Sequence, residues 1–239
     1  MISNSILIPV YNAEKTLRQC LNSCWDKSNV HVFLDQCDDL SFAIASEYDI
    51  HITVSPVRHG HAAARQHLFW HSHTDAVVFQ DADDWRTEHY DYHVRQLEFY
   101  DVLITPFICE DGQPHLVEQS GNVLQDLIYG RVQTGGIYWR SSTLRKLEFA
   151  TTTKWEYWML YRAYLADARI GYCDRPGVHY RRNWSDSQLT RQPEWLAEHA
   201  RFATHLLARE RLTNEQQQFL GSTIRYAKEK ARQQQINGT

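Results

Sequence analysis

An α/β fold is the class this sequence predicts: a mostly parallel central sheet flanked by helices, with a helical extension at the C-terminus. Three observations carry the prediction. Short apolar runs of strand length alternate with segments of helical period over the first hundred residues, the pattern of a parallel sheet covered on both faces. Each of three runs ends in a polar or acidic turn, which would place those turns on one rim of the sheet. Beyond Pro193 the pattern becomes purely helical.

The elements follow in order. Ile6 to Val10 reads as a buried strand closing on Tyr11-Asn12, and Ala13 to Cys24 has apolar residues at helical spacing (Leu17, Cys20, Leu21, Cys24). Val30 to Leu34 is a second strand ending at Asp35. Ser41 to Tyr48 is a short helix, Ile50 to Val54 a third strand and Ala62 to His73 a strong helix. A fourth strand, Val77-Val78-Phe79, runs through Gln80 into Asp81-Ala82-Asp83-Asp84. After Leu103-Ile104 the alternation weakens. A Gly135-Gly136 pair precedes a β-like run, and Trp155 to Ala166 is an aromatic-rich helix. Pro193 opens a helix over Glu194 to Glu210, and Thr213 to Gln216 has the form of a capping box starting the last helix, whose end from Gln233 should fray. We divide the chain into residues 1–108, 109–192 and 193–239: a donor-binding half, an acceptor-binding and catalytic half of the same domain, and the terminal helices.

With 239 residues, 43% hydrophobic and 23% charged, the chain has the composition of an ordinary globular protein. No apolar stretch approaches the roughly 20 residues that span a bilayer. The N-terminus lacks a charged region ahead of a separate apolar one, so no signal peptide is expected. Five cysteines without a CxxC pair fit a reducing compartment, hence a cytoplasmic protein, with peripheral membrane attachment as the variant. The net charge of −4 divides unevenly: residues 181–239 hold ten Lys/Arg against six Asp/Glu, leaving the rest at −8. The basic tail either faces an anionic acceptor or is a solvated helical face.

The acidic cluster carries the most chemistry. Three carboxylates in four residues at the end of a buried strand are costly unless a cation neutralises them, and a divalent metal with oxygen ligands does so. Asp84 would bind a water of the metal or hold the loop, with the N-cap of a helix over Trp85 to Tyr92 as its competing role. His67, His71 and His73 have a metal-like spacing but no evident fourth ligand, and zinc is not expected there.

Five motifs in order resemble the GT-A fold glycosyltransferases of family 2: Ile8-Pro9-Val10-Tyr11-Asn12; Asp35-Gln36-Cys37-Asp38-Asp39; Gly60 to Gln66 with Ala64-Arg65; Asp81-Ala82-Asp83; and Trp155 to Arg162. Tyr180-Arg181-Arg182 resembles a sixth, before a polar loop, Asn183 to Gln192 (with Ser185 and Ser187), that fits a lid. The resemblance covers about residues 5–190. It implies an inverting transferase moving a sugar from a nucleotide-diphosphate sugar, first of all a UDP-sugar, to an acceptor hydroxyl, with Mn²⁺ or Mg²⁺. It assigns Asp81 to the nucleoside and metal, and Asp83 to the metal with His179 completing the shell. Pro9, Tyr11, Asn12, Asp35, Arg65, Ala82, Gly136, Arg181 and Arg182 fall to the nucleotide sugar. Glu156 aligns with the catalytic base, one methylene longer than the family's aspartate. A glycan or glycolipid is the implied acceptor, and a hydroxymethylated base in phage DNA the alternative. A nucleotidyltransferase would need an early Gly-rich loop, where this chain has Tyr11 to Glu14; a non-catalytic sugar-binding protein would not need Asp81, Asp83 and Glu156 together. Of the aromatics Trp139, Trp155, Tyr157, Trp158 and Tyr161, at least half should be core rather than sugar platforms.

Overall fold

The computed structural model describes residues 2–24, 26, 29–182 and 193–237. Eleven strands form two sheets among these residues: β1 (Asn4–Val10), β2 (Val30–Asp35), β3 (His51–Ser55), β4 (Ala76–Phe79), β5 (Trp85–Arg86), β6 (Val102–Ile104), β7 (Phe107–Glu110), β8 (His115–Val117), β9 (Ile137–Arg140), β10 (Ile170–Tyr172) and β11 (Val178–Arg181). The helices are α1 (Leu17–Ser23), α2 (Ser41–Ala45), α3 (His61–His71), α4 (Tyr90–Gln96), α5 (Val123–Ile128), α6 (Ser141–Leu144), α7 (Trp155–Leu165), α8 (Pro193–Arg209) and α9 (Asn214–Asn237).

The main sheet has the order β10-β6-β9-β4-β1-β2-β3. Its first four strands in sequence pair in parallel, whereas β9 enters antiparallel between β4 and β6. Strand period two divides the side chains between two cores. Ile6, Ile8, Val32 and Val78 pack on the face covered by α1, α2 and α4. Leu7, Phe33, Val77 and Phe79 pack on the other, with α3, α5, α7 and the terminal helices. Trp139, Trp155, Tyr157 and Tyr161 are buried, so four of the five aromatics are core, as a stripe at helical spacing should be.

A smaller sheet, β5-β11-β7-β8, stands beside the first. The acidic segment is the crossing from β4 to β5, and two expectations fail there. Trp85 begins a strand, not a helix: it pairs with His179 in β11, and α4 waits until Tyr90. Asp84 is therefore no N-cap; its carboxylate is buried and bonded across the sheet, a competition local sequence cannot display. The first helix also starts late, because Ala13 to Thr16 form a turn in which Leu17 N–H donates to the Ala13 carbonyl. The capping box is present: Thr213 N–H donates to Gln216 Oε1 and Gln216 N–H to Thr213 Oγ1. The last helix runs on to Asn237, beyond the expected fraying point. The expected lid, 183–192, lies outside the described residues.

Candidate active site

The rim at the carboxyl ends of β1, β2 and β4 is where the three polar turns meet. The first carries Asn12 in the left-handed region at φ 46°, a conformation its short amide tolerates. Asn12 is joined to the second turn by reciprocal bonds: its Nδ2 donates to Asp38, and Asp38 N–H donates to Asn12 Oδ1 at 3.0 Å. Pro9 is half-buried within β1 beside Phe33. Tyr11 is 51% exposed, which removes a core role for it, and the Arg58 guanidinium lies 3.1 Å from its ring centre.

Asp35 ends β2 fully buried. Its two oxygens accept from the backbone N–H groups of His59 (2.7 Å) and Gly60 (2.8 Å), and Arg58 Nε lies 3.2 Å away. This carboxylate thus fixes the turn that starts α3, where Gly60 has φ 84°. Sequence reasoning overlooked Arg58, which no motif marks.

From α3, Arg65 reaches the acidic crossing. It is only 4% exposed, so it is not a surface ion pair; it is bonded to Asp81 Oδ1 and to His61 Nδ1. Burial, and then the adjoining guanidinium, push His61 down to about 3, keeping it neutral. Ala82 is buried; Asp81 and Asp83 stay half-exposed. Asp84 accepts from Arg181 N–H (2.8 Å) and Gln133 Nε2 (3.2 Å). Burial first, then the charges of Asp83 and Asp81, push its carboxyl well above the usual range. Beneath the crossing, buried Arg86 donates to Gln80 Oε1 (2.9 Å), the Gly135 carbonyl (2.7 Å) and Tyr138 Oη (2.9 Å). Gly135 and Gly136 are themselves buried: a Cβ on Gly135 would come within 2.9 Å of Val178, and one on Gly136 within 3.2 Å of the Thr105 carbonyl. The close approach of this pair is to neighbouring strands of the protein.

β11 closes the site. Arg181 Nε donates to the Asp83 carbonyl at 3.0 Å, and its guanidinium lies 4.8 Å from the Trp85 ring. The His179 ring stacks on that indole, centroids 4.9 Å apart and planes 9° apart. Its Nδ1 lies 2.7 Å from Glu110 Oε1. Arg182 turns instead toward Asp111, 3.8 Å away, and is exposed.

At the start of α7, Glu156 keeps some open surface while its carboxyl is enclosed. Burial raises its proton affinity, and Lys154 followed by Arg65 hold it partly down. Arg65 therefore acts on both Asp81 and Glu156, which brings the predicted base to the acidic crossing. Lys154, unmarked by any motif, is 2% exposed; its Nζ lies 3.7 Å from the Tyr157 ring centre and 3.9 Å from that of Trp195. Among the described residues no helix is long and apolar enough to cross a membrane.

The sheet order and the acidic crossing define an α/β protein of the GT-A type, a glycosyltransferase by class. The chain belongs to glycosyl transferase family 2, whose family model matches residues 5–168. No curated protein matches it by sequence. Solved structures share the fold: TarS 1–349 of S. aureus in complex with UDP-GlcNAc has a TM-score of 0.69 at 18% identity, covering 93% of this chain and 72% of that one. The glucosyl-3-phosphoglycerate synthase of Mycobacterium tuberculosis, in complex with Mn²⁺, UDP and phosphoglyceric acid, has 0.64 at 17% identity, covering 86% and 78%.

Proposed function

We propose that this glycosyltransferase is metal-dependent and inverting, moving a sugar from a UDP-sugar to a hydroxyl of a glycan or glycolipid. The observation that carries the reading is Glu156: an enclosed carboxyl of raised proton affinity that shares Arg65 with Asp81 of the acidic crossing. A general base works best when its proton affinity lies near the working pH, and burial moves a glutamate that way. The donor class is supported by the relatives in complex with UDP-GlcNAc, or with UDP and Mn²⁺ or Mg²⁺.

The residues fit a divalent cation. Three carboxylates fall within four residues of the crossing, and Asp84 is disfavoured as an anion first by burial and then by Asp83 and Asp81, so that added positive charge would relieve it. Asp83 and Asp81 are the residues that would hold the ion; strand alternation in β11 turns Tyr180 rather than His179 toward the crossing. Bound there, Mn²⁺ or Mg²⁺ supplies Lewis-acid charge for a diphosphate leaving group.

The protein's own residues do the rest. Tyr11, Asn12 and Asp35 build the nucleoside end of the rim. Arg65 holds Asp81 and adds positive charge on the phosphate side, with Arg181 bracing the acidic crossing from below. As the acceptor oxygen bonds to the anomeric carbon, the bond from that carbon to the diphosphate breaks and its electron pair leaves with UDP. The acceptor's proton passes to the Glu156 carboxylate.

The test is Glu156→Gln, assayed for UDP-sugar hydrolysis and transfer with Mn²⁺ and for UDP binding. Transfer should fall by two orders of magnitude or more, within the usual range for a lost general base, with UDP affinity unchanged. Equal losses in both would remove Glu156 as the base.

A further inference from the structure

The hairpin that joins β7 to β8 gathers three side chains that no step of the sugar transfer uses. Cys109 lies in β7 and Asp111 just past its end, and strand period two turns both to one face. Glu110, between them, turns to the other face and meets His179. His115 opens β8 directly opposite Cys109 in the antiparallel register, and opposed residues share a face. Gly112, at φ 130°, makes the turn that brings the second strand back. A thiol, a carboxylate and an imidazole thus converge, with their ligand atoms all within 4.8 Å of one another. His115 Nδ1 lies 3.5 Å from Asp111 Oδ1. Two ligands held at about 2.0–2.1 Å from a tetrahedral zinc ion are themselves about 3.4 Å apart, so this pair already spans one edge of such a site. Cys109 is buried whereas Asp111 and His115 are exposed, which leaves the cluster an approach from solvent.

We propose that Cys109, Asp111 and His115 form a zinc site that draws none of its ligands from the acidic crossing, with water in the fourth position. Thiolate and imidazole favour zinc, whereas Mn²⁺ and Mg²⁺ favour sets of oxygen ligands. On binding, Zn²⁺ takes the place of the Cys109 thiol proton, which leaves to solvent as the Sγ–Zn bond forms. His115 offers the Nδ1 lone pair in the tautomer that carries its proton on Nε2, and gives up a 3.3 Å contact between Nδ1 and the Gln113 carbonyl. Arg182 is the cation that faces Asp111 without the metal, at 3.8 Å, and zinc replaces it there. The hairpin is joined to the crossing through β7, which pairs in parallel with β11 from Phe107–Val178 to Glu110–Arg181. Arg181 in turn donates to Asp84 and to the Asp83 carbonyl. Zinc therefore clamps the edge strand β8 onto the pair of strands that secures the acidic crossing.

The experiment loads the full chain with Co²⁺ and then with Zn²⁺, in excess Mg²⁺ to fill sites made of oxygen ligands. The parent should show the near-ultraviolet charge-transfer band of a thiolate bound to Co²⁺, and Zn²⁺ should displace it. Cys109→Ser should lose the band. Asp111→Asn and His115→Ala, both at exposed positions, should keep the melting temperature of the metal-free parent. Each should weaken Zn²⁺ by at least about tenfold, the cost of losing even an outer-shell partner. Glu110→Gln, on the opposite face, should leave the affinity unchanged. Zn²⁺ should also raise the melting temperature of the parent but not of Cys109→Ser. Absence of the band in the parent overturns the site, and its persistence in Cys109→Ser assigns the ion to another cysteine and overturns it equally. Zn²⁺ affinity within twofold of the parent in both Asp111→Asn and His115→Ala does the same.

Discussion

The backbone N–H of Arg181 donates to the Asp84 carboxylate at 2.8 Å, joining residues 97 apart in the chain. Through this bond the last strand of the small sheet secures the acidic crossing that leaves the large one. Asp84 also receives Gln133 Nε2, so its removal strands two donors in a buried place. Leaving a buried donor unsatisfied costs about 1–3 kcal/mol. Asp84→Ala should therefore lower the melting temperature by several degrees, given about 2–4 °C per kcal/mol at this chain length. Asp84→Asn keeps one acceptor oxygen and should lose less. Equal melting temperatures for parent and Asp84→Ala would show that the crossing is held elsewhere.

Asp83 differs in being half-exposed. Asp83→Ala should leave the fold intact and reduce Mn²⁺-dependent transfer by at least about 100-fold, the scale of several kcal/mol of lost charge stabilisation. Full activity in this variant would remove metal dependence from the mechanism.

The two sheet faces were readable in advance because strand period two and helical period separate cleanly in Ile6 to Phe79. The rim was readable because Asn12, Asp35 and Asp81 each end such a run. What escaped were the particular partners that residues find across the sheets. Asp84 reads locally as a cap, since Asp before an aromatic segment satisfies that rule, yet its partners Arg181 and Gln133 lie 97 and 49 residues away. Lys154 and Glu110 carry no local signature; an aromatic cage assembled from α7 and α8, and a carboxylate behind a histidine on the adjacent strand, exist only once the chain is folded.

Lys154 gives the pH prediction. Burial lowers its ammonium from 10.5 to about 8, with Glu156 opposing; Tyr157, Trp195 and His199 are its other neighbours. Between about pH 8 and 10.5 the unfolded chain binds a proton here that the folded chain does not, so this group makes stability rise with pH across that window. The rise is at most ~3 kcal/mol. Lys154→Met should abolish it, seen as urea unfolding curves for parent and variant that diverge from pH 8 upward. The same substitution removes the largest influence holding the Glu156 carboxyl down. The acid limb of kcat/KM should then move to higher pH in Lys154→Met; an unmoved limb would mean that another group titrates there.

Gly135 tests the packing of the crossing. Its missing side chain leaves room for Val178 and Gln80, which a Cβ would meet at 2.9 and 3.1 Å. Gly135→Ala should cost about 1–3 kcal/mol by forcing β11 outward. Because Arg86 also donates to the Gly135 carbonyl, that shift should loosen the acidic crossing as well, and weaker UDP–Mn²⁺ binding should accompany the loss of stability.

The terminal helices lie beyond the stretch matched by the family model, yet they complete the core behind α7. Phe202 of α8 is 3% exposed and meets the rings of Tyr157, Trp158 and Tyr161 edge-on at 5.6, 4.9 and 6.0 Å. Beside it, Trp158 Nε1 donates to the buried Glu198 at 2.9 Å, a part-buried bond that ties α7 to α8. Removing the phenyl ring leaves a cavity that these rigid aromatics cannot collapse into, and Phe202→Ala should cost about 3–5 kcal/mol. The loss should also reach the site, because α8 supplies Trp195 to the cage around Lys154. Differential unfolding and the pH profile of transfer measured on one preparation should change together. A destabilised Phe202→Ala protein whose pH profile matched the parent's would show that α8 supports the fold without acting on Glu156.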